Sequence, residues 1–333
     1  MTARAPRAAF FVAPRTLELR PLPAATLEPE QVRVATELSA ISSGTELLFY
    51  RGELEDGVPV DATLPWAGTL TYPLRYGYAA VGCIEVCGSA LDPALVGRRV
   101  FGFQPHQEAF VARLDELVLL PDGLSNERAA FLPNMETAVS LMMDGAPIVG
   151  EHVAVIGQGV LGQLLAALLA RSSAERLLLL DGRVDRLDRA LRLLGSVPTE
   201  LRPSPVDADA DSCDLVYELT GDPAALQTAL GLARYEGRIV VGSWYGSRCA
   251  PLALGTRVHR NRNTISFSQV SRIDGRYAAR FDKTRRLGVA LAWLARLPLE
   301  GLVTHRVPFE RIADAYRLLD ERREPVCQVL LTY

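Results

Sequence analysis

The chain of 333 residues is poor in the residue types that cross-link or ligate, with five cysteines and four histidines. An odd number of irregularly spaced cysteines builds no disulfide framework and suits a reducing compartment, so the cytoplasm is the expected location. Cys83 and Cys87 fall on one predicted strand and read as small buried apolar side chains. No two histidines stand at metal-ligand spacing and no Ser-His-Asp arrangement is visible, so hydrolase readings lack support. No apolar run approaches the roughly twenty residues of a membrane span. Residues 8–13, followed by Pro14 and Arg15, are too short for a signal-peptide core. Basic charge is not in excess: 36 Lys and Arg face 39 Asp and Glu, for a net charge of −3. Nucleic acid and anionic membrane are therefore not expected partners. Even the cluster Arg183, Arg186 and Arg189 is interleaved by Asp181, Asp185 and Asp188. What is present, 49% hydrophobic and 23% charged residues, is ordinary globular composition at a length that suggests two domains.

The strongest local signal lies in the middle of the chain. Residues 153–156 form a short β-type apolar run, and Gly157-Gln158-Gly159-Val160-Leu161-Gly162 follows it directly, before a helical run over 163–171. A Gly-x-Gly-x-x-Gly turn between strand and helix is what a dinucleotide needs. Gly157 makes the tight turn, Gly159 lets the backbone approach a pyrophosphate, Gly162 lets helix and strand pack closely, and the phosphates sit over the helix N-terminus. A second strand, 176–180, ends in Asp181, about twenty residues on, where a ribose-binding acid belongs. That acid favours NAD over NADP, because it would repel a 2′-phosphate; Arg183 and Arg186 soften the preference.

The turn is preceded by about 150 residues that form a different pattern. Short β-type runs at 32–38, 82–86, 99–103 and 108–112, separated by Pro and Gly, suggest a compact β domain. Residues 126–143 read as one helix with Ser125 as N-cap. From 153 to 241 strands and helices alternate β-α-β-α-β-α-β, the signature of a doubly wound parallel sheet. Helices are expected at 283–297 and 312–319, and the last run, 326–333, reads as a strand that returns to the first domain.

The tail from Leu302 to Leu319, the segment Ile41-Ser42-Ser43-Gly44-Thr45-Glu46 and the glycine turn resemble the medium-chain dehydrogenase/reductase superfamily, the alcohol dehydrogenase-like proteins, over essentially the whole chain. The resemblance implies an α/β fold: a GroES-like β-rich catalytic domain, 1–134 and 270–333, with a Rossmann doubly wound parallel sheet inserted at 135–269. It also implies a homodimer or tetramer. Arg75-Tyr76-Gly77-Tyr78, Pro105-His106-Gln107-Glu108, Met135-Glu136-Thr137-Ala138, Ser243-Trp244-Tyr245-Gly246 and Ser268-Gln269-Val270 are more specifically similar to a subgroup related to the bacteriochlorophyllide hydroxyethyl dehydrogenases.

Zinc members of that superfamily hold their metal with a Cys, a His and a Cys or Glu. The matching positions here are Ser43, Tyr78 and Pro133, and hydroxyls and proline are poor zinc donors. No zinc is therefore expected, and NAD is the expected cofactor, with NADP less favoured. A proton donor and an oxyanion partner must come from elsewhere. Tyr78 is the leading candidate, with Thr45 and Ser43 completing a hydrogen-bond relay; the alternative is that its ring fills the volume left by the metal. Glu136 could be a base or a helix-start acid, and His106 could recognise substrate or act as acid. The resemblance places Thr137, Thr220, Gly221, Ser243 and Trp244 near the cofactor, and Gln328 where the family often has a pyrophosphate-binding arginine. Trp66, Tyr72 and Tyr76 either form an aromatic substrate mouth or pack their own loop. The function implied is hydride transfer between a nicotinamide and a secondary alcohol or ketone, with a small-molecule substrate. A zinc-free enoyl or quinone reductase and a nucleotide-binding protein without turnover are the alternatives.

Overall fold

A computed structural model describes residues 5–23, 25–55, 57, 68–172, 174–194, 198–206 and 209–333. It divides into two compact units, Met1–Pro133 with Val303–Tyr333, and Asn134–Leu302. In chain order the first stretch carries β1 (Arg7–Ala13), β2 (Thr16–Pro21), β3 (Gln31–Ile41), α1 (Glu46–Arg51), β4 (Ala80–Cys87), β5 (Arg99–Gly102), β6 (Ala109–Arg113), β7 (Leu117–Leu119) and α2 (Asn126–Ala129). The second unit carries α3 (Leu132–Gly145), β8 (His152–Ile156), α4 (Val160–Leu169), β9 (Arg176–Leu180), α5 (Val184–Leu194), β10 (Thr199–Arg202), β11 (Cys213–Glu218), α6 (Ala225–Leu232), β12 (Ala233–Val241), β13 (Thr264–Phe267) and α7 (Lys283–Arg296). The chain then returns with β14 (Val303–Pro308), α8 (Ile312–Glu321) and β15 (Gln328–Thr332).

The first unit is built on a mixed sheet in the order β14-β15-β3-β4-β5-β7, with β6 also paired to β3. Period two explains its long strand: Val32, Val34, Thr36 and Leu38 of β3 are buried while Arg33 and Glu37 are exposed. β15 pairs antiparallel with β3, Val329 opposite Ile41, so the final strand does close the first unit as its sequence suggests. The core between sheet and α8 gathers Phe11, Ile41, Phe49, Tyr76, Phe309, Tyr316 and Leu331. α1 ends on Gly52, whose φ of 71° is the left-handed conformation that terminates a helix at little cost to glycine.

The second unit is a six-stranded parallel sheet in the order β10-β9-β8-β11-β12-β13. Its central strands are continuous apolar runs, as expected where helices cover both faces. Sequence direction reverses between β8 and β11, which are neighbours, so the crevice beyond their carboxyl ends is the topological switch point.

Three expectations differ from the structure. The single helix over 126–143 is two, α2 and α3, because Pro133 has no N–H for the carbonyl four residues earlier and its ring clashes there; Ser125 does cap the first, accepting from Arg128 N at 3.3 Å. Edge strands β10 and β13 were not anticipated, since four residues with one covered side carry little apolar signal. Residues 270–302, given to the GroES-like domain from the sequence, belong to the second unit. The reason is Arg286 of α7, whose guanidinium is bonded to Glu136 of α3 and to the carbonyls of Val270 and Arg272.

Candidate functional site

At the switch point the glycines divide by cause. Gly157 has φ 94°, and a Cβ there would lie 2.7 Å from the carbonyl oxygen of Leu219, the residue after β11. A Cβ on Gly162 would lie 1.9 Å from the Gly157 oxygen, so α4 rests directly on the turn. Gly159 differs, because a Cβ there would meet nothing within 4 Å. The protein's own packing does not demand that glycine; room above the helix does. Gly159 is the N-cap of α4 and offers no side-chain bond to it, so the half-buried Val160 and Leu161 begin a helix whose first N–H groups lack a capping side chain. Such an N-terminus attracts phosphate. Gln158 is fully buried with its Nε2 on the Val155 carbonyl, and its Oε1 has no partner among the described residues.

Asp181 is bound into this turn. Its Oδ2 accepts the Gln158 N–H at 2.8 Å and Arg186 Nη1 at 3.3 Å, and its Oδ1 accepts the Arg183 N–H at 2.9 Å. A carboxylate has about four acceptor sites, so a ribose hydroxyl can still be taken, but much of the acid's capacity ties β8 to β9. Arg186 at its side also offsets part of the repulsion that would exclude a 2′-phosphate.

On the other side of the crevice the sequence reading missed Glu218. It is fully buried at the end of β11, accepts the Thr220 N–H at 2.7 Å and hydroxyl at 2.5 Å, and takes the Tyr245 hydroxyl at 2.6 Å. Burial first, and then this carboxylate, push the Tyr245 phenol well up. Ser243 Oγ accepts the Gly221 N–H at 2.8 Å. Thr220, Gly221 and Ser243 thus build the turn, while Trp244 beside them is 43% exposed.

Two candidate catalysts are corrected by their surroundings. Glu136 is buried on α3 and paired with Arg286 at 2.9 and 3.1 Å, while Arg286 also donates to Ser140 Oγ. Burial pushes its carboxyl up against the opposing pull of Arg286. This is a structural ion pair, and a general base must reach the proton it abstracts. Thr137, the next residue, is half-buried. His106 is likewise wholly buried, with Nδ1 2.7 Å from Ser39 Oγ and Nε2 2.9 Å from Glu46 Oε2. Both ring nitrogens are thus engaged within the protein.

In the first unit the half-buried Tyr78 donates its hydroxyl to Ser42 Oγ. The hydroxyl that meets Tyr78 is thus that of Ser42, one residue before the expected Ser43; Ser43 and Thr45 lie half-buried beside it in the chain. Of the two readings of the loop aromatics, Tyr76 and Tyr72 follow the packing one. Tyr76 is buried and stacked on Phe49 at 4.0 Å, Tyr72 donates to the Phe49 carbonyl at 2.5 Å, and Trp66 lies outside the described residues. Gln328 is buried and donates to the Ile41 carbonyl at 2.9 Å, which makes it a strand fastener rather than a pyrophosphate ligand. Among the described residues no group of three or more His, Cys, Asp or Glu could hold a metal, and no helix is long and apolar enough to cross a membrane. The hydroxyls and proline at the zinc-matching positions do not fit that ion.

No family model matches the chain. It is 26% identical over 277 residues to the D-guloside 3-dehydrogenase of Escherichia coli, covering 77% of this chain and 79% of that one. Among solved structures it is similar to the short chain alcohol dehydrogenase RspB of Escherichia coli complexed with NADH, with TM-score 0.78, 19% identity and coverage of 99% of this chain and 100% of that one. It is also similar to 2R,3R-butanediol dehydrogenase from Bacillus subtilis, with TM-score 0.79, 18% identity and coverage of 99% and 100%. The chain has the alcohol dehydrogenase-like α/β fold, a GroES-like β-rich unit with a Rossmann-type parallel sheet inserted in it.

Proposed function

We propose that the chain is a nicotinamide-dependent dehydrogenase that works without zinc, interconverting a secondary alcohol and a ketone. One observation carries this reading: the glycine-built turn at the switch point, with Gly159 opening space above the uncapped N-terminus of α4. Gly157 to Gly162 would hold the pyrophosphate and Asp181 the ribose. A bound nicotinamide supplies the hydride chemistry itself. What this chain's residues must add is a proton at oxygen and stabilisation of its charge.

Tyr78 fits that part. It stands at the position matching a zinc-ligating histidine, and its hydroxyl is already oriented by Ser42. In ketone reduction the carbonyl carbon receives hydride and its oxygen receives the Tyr78 proton, the phenol O–H turning from Ser42 to the substrate and the Ser42 hydroxyl then donating to the phenolate oxygen; oxidation runs the same transfers backwards. Thr45 and Ser43 are the further hydroxyls of this relay. The likeness of several segments to the bacteriochlorophyllide hydroxyethyl dehydrogenases favours a substrate from pigment or secondary metabolism. NAD is the preferred cofactor and the working assembly a homodimer in the cytoplasm.

The test is a panel of secondary alcohols, ketones, enones and quinones with NADH and NADPH on chelator-treated protein. Turnover of alcohols or ketones is expected, and Tyr78→Phe should lower kcat by about 10²–10⁴-fold while leaving NADH affinity unchanged. Loss of all activity on chelation, restored by zinc, would overturn the metal-free mechanism. Turnover confined to enones or quinones would reassign the reaction to carbon–carbon double bonds.

A further inference from the structure

Beneath Tyr78 lies a buried polar network that the proposed reaction does not touch. Glu46 and His106 are both fully buried and paired at 2.9 Å. Glu46 Oε2 also accepts the Tyr316 hydroxyl, and Oε1 accepts the Ser42 N–H at 2.8 Å. On the far side of the imidazole, Ser39 Oγ lies 2.7 Å from Nδ1 and 2.9 Å from the Tyr333 hydroxyl. With the His106 proton on Nε2 the donors form an unbroken series: Tyr333 gives to Ser39, Ser39 to His106, and His106 to Glu46. The carboxylate then takes three donors, from His106, Tyr316 and Ser42, which is what a buried charge requires. Burial, and next the charge of Glu46, push the Tyr316 phenol far up, so it stays a donor.

Both partners of the Tyr78–Ser42 hydrogen bond are anchored to this one pair. Ser42 is held through its N–H by Glu46. Tyr78 is held through the residue before it: Gly77 has φ 124°, and a Cβ there would lie 2.8 Å from His106 Cδ2 and 2.9 Å from Nε2. The imidazole is thus packed flush against the backbone that presents Tyr78.

We propose that Glu46 and His106 are positioning residues that set the geometry and ionisation of Tyr78, acting on Ser42 from one side and on Gly77 from the other. The inference rests on Tyr78 being the proton-transfer group, but it concerns what tunes that group. The titratable groups facing the pair are Tyr316 from α8 and Tyr333 from the chain end; Tyr76 is edge-on to Tyr78 at 5.9 Å, and Arg75 is bonded to Gln107 at 3.1 Å. Among these the one cation, Arg75, is bonded to Gln107 and not to Glu46, so with His106 neutral the pair carries the net negative charge of Glu46. That charge therefore opposes ionisation of Tyr78.

The experiment labels tyrosine with ¹³C at Cζ, identifies the Tyr78 resonance by its loss in Tyr78→Phe, and follows its titration in the full-length protein. Glu46→Gln should lower the Tyr78 midpoint by about one pH unit, because a nearby negative charge is removed. Tyr316→Phe should raise it, because the carboxylate loses a donor while its charge stays. A midpoint unmoved in both variants, or moved in the same direction, overturns the proposal. If Glu46→Gln does not fold, Tyr316→Phe decides by its sign alone. The titration needs no turnover. Full activity of Tyr78→Phe would therefore refute the proton-donor reading, whereas an unmoved midpoint would refute the tuning.

Discussion

His106 leaves no room for a side chain on Gly77: a Cβ there would lie 2.8 Å from the imidazole Cδ2, on a backbone already at φ 124°. Gly77→Ala is accordingly expected to lose about 1–3 kcal/mol of stability from backbone strain, with a fall in kcat larger than its fall in cofactor affinity because Tyr78 is displaced. Denaturant unfolding and steady-state kinetics check the two together. Wild-type values for both would mean that the contact yields freely.

Asp181 holds the Gln158 and Arg183 N–H groups as well as facing Arg186. Asp181→Ala should therefore do two things: shift the NADH to NADPH ratio of kcat/KM toward NADPH by about tenfold, a change of about 1.4 kcal/mol, and weaken both cofactors by loosening the turn. An unchanged ratio with weaker binding would leave Asp181 as turn architecture only.

For the Glu136–Arg286 pair the expectation is structural. Glu136→Gln leaves the Arg286 charge buried without its partner, at a cost of about 3–5 kcal/mol. Replacing Arg286 by Met in the same chain should recover part of it, since the unpaired buried charge is then removed, and only part, since Ser140 and the carbonyls of Val270 and Arg272 lose their donor. Thermal unfolding measures this. A stable Glu136→Gln protein with kcat reduced a hundredfold would restore Glu136 as the base.

Asp320 of α8 joins Arg51 of α1 at 2.6 Å and Arg15 of the β1–β2 turn at 3.0 Å. Burial raises its carboxyl, but hydrogen bonds from Arg51 and Arg15 outweigh that and hold it below the ordinary range. A depressed folded-state value means stability present above the unfolded value of about 3.9 and lost as pH falls through the folded one. Asp320→Asn should thus cost about 1 kcal/mol at neutral pH, with the gap to wild type closing in acid. A gap that persists at low pH would show that charge is not its source.

What could be read from the sequence was local. The Gly157–Gly162 turn, the apolar strands β8, β9 and β11, and the amphipathic α8 all declare themselves within a dozen residues, and each is where the pattern put it. Partnerships across long separations were not legible. Glu46 meets His106 across 60 residues and Glu136 meets Arg286 across 150, and nothing near either acid announces its partner. That is why His106 and Glu136 read as candidate catalysts when met singly. Ser42 was overlooked for a related reason: the motif drew attention to Ser43, and only the folded loop directs Tyr78 to its neighbour.

The pairing of β15 with β3 fixes the order in which this molecule can be made. Gln328 fastens to the Ile41 carbonyl 287 residues earlier in the chain, so β3 leaves the ribosome long before the strand that covers its edge. Throughout synthesis of the parallel sheet, the Leu38–Ile41 end of that edge, beyond the part paired to β6, is open to other chains. The parallel sheet uses only its own contiguous segment and can fold while β3 waits. Slow translation or loss of the last strand should therefore yield aggregates joined through the first unit, with the nucleotide-binding sheet already formed inside them.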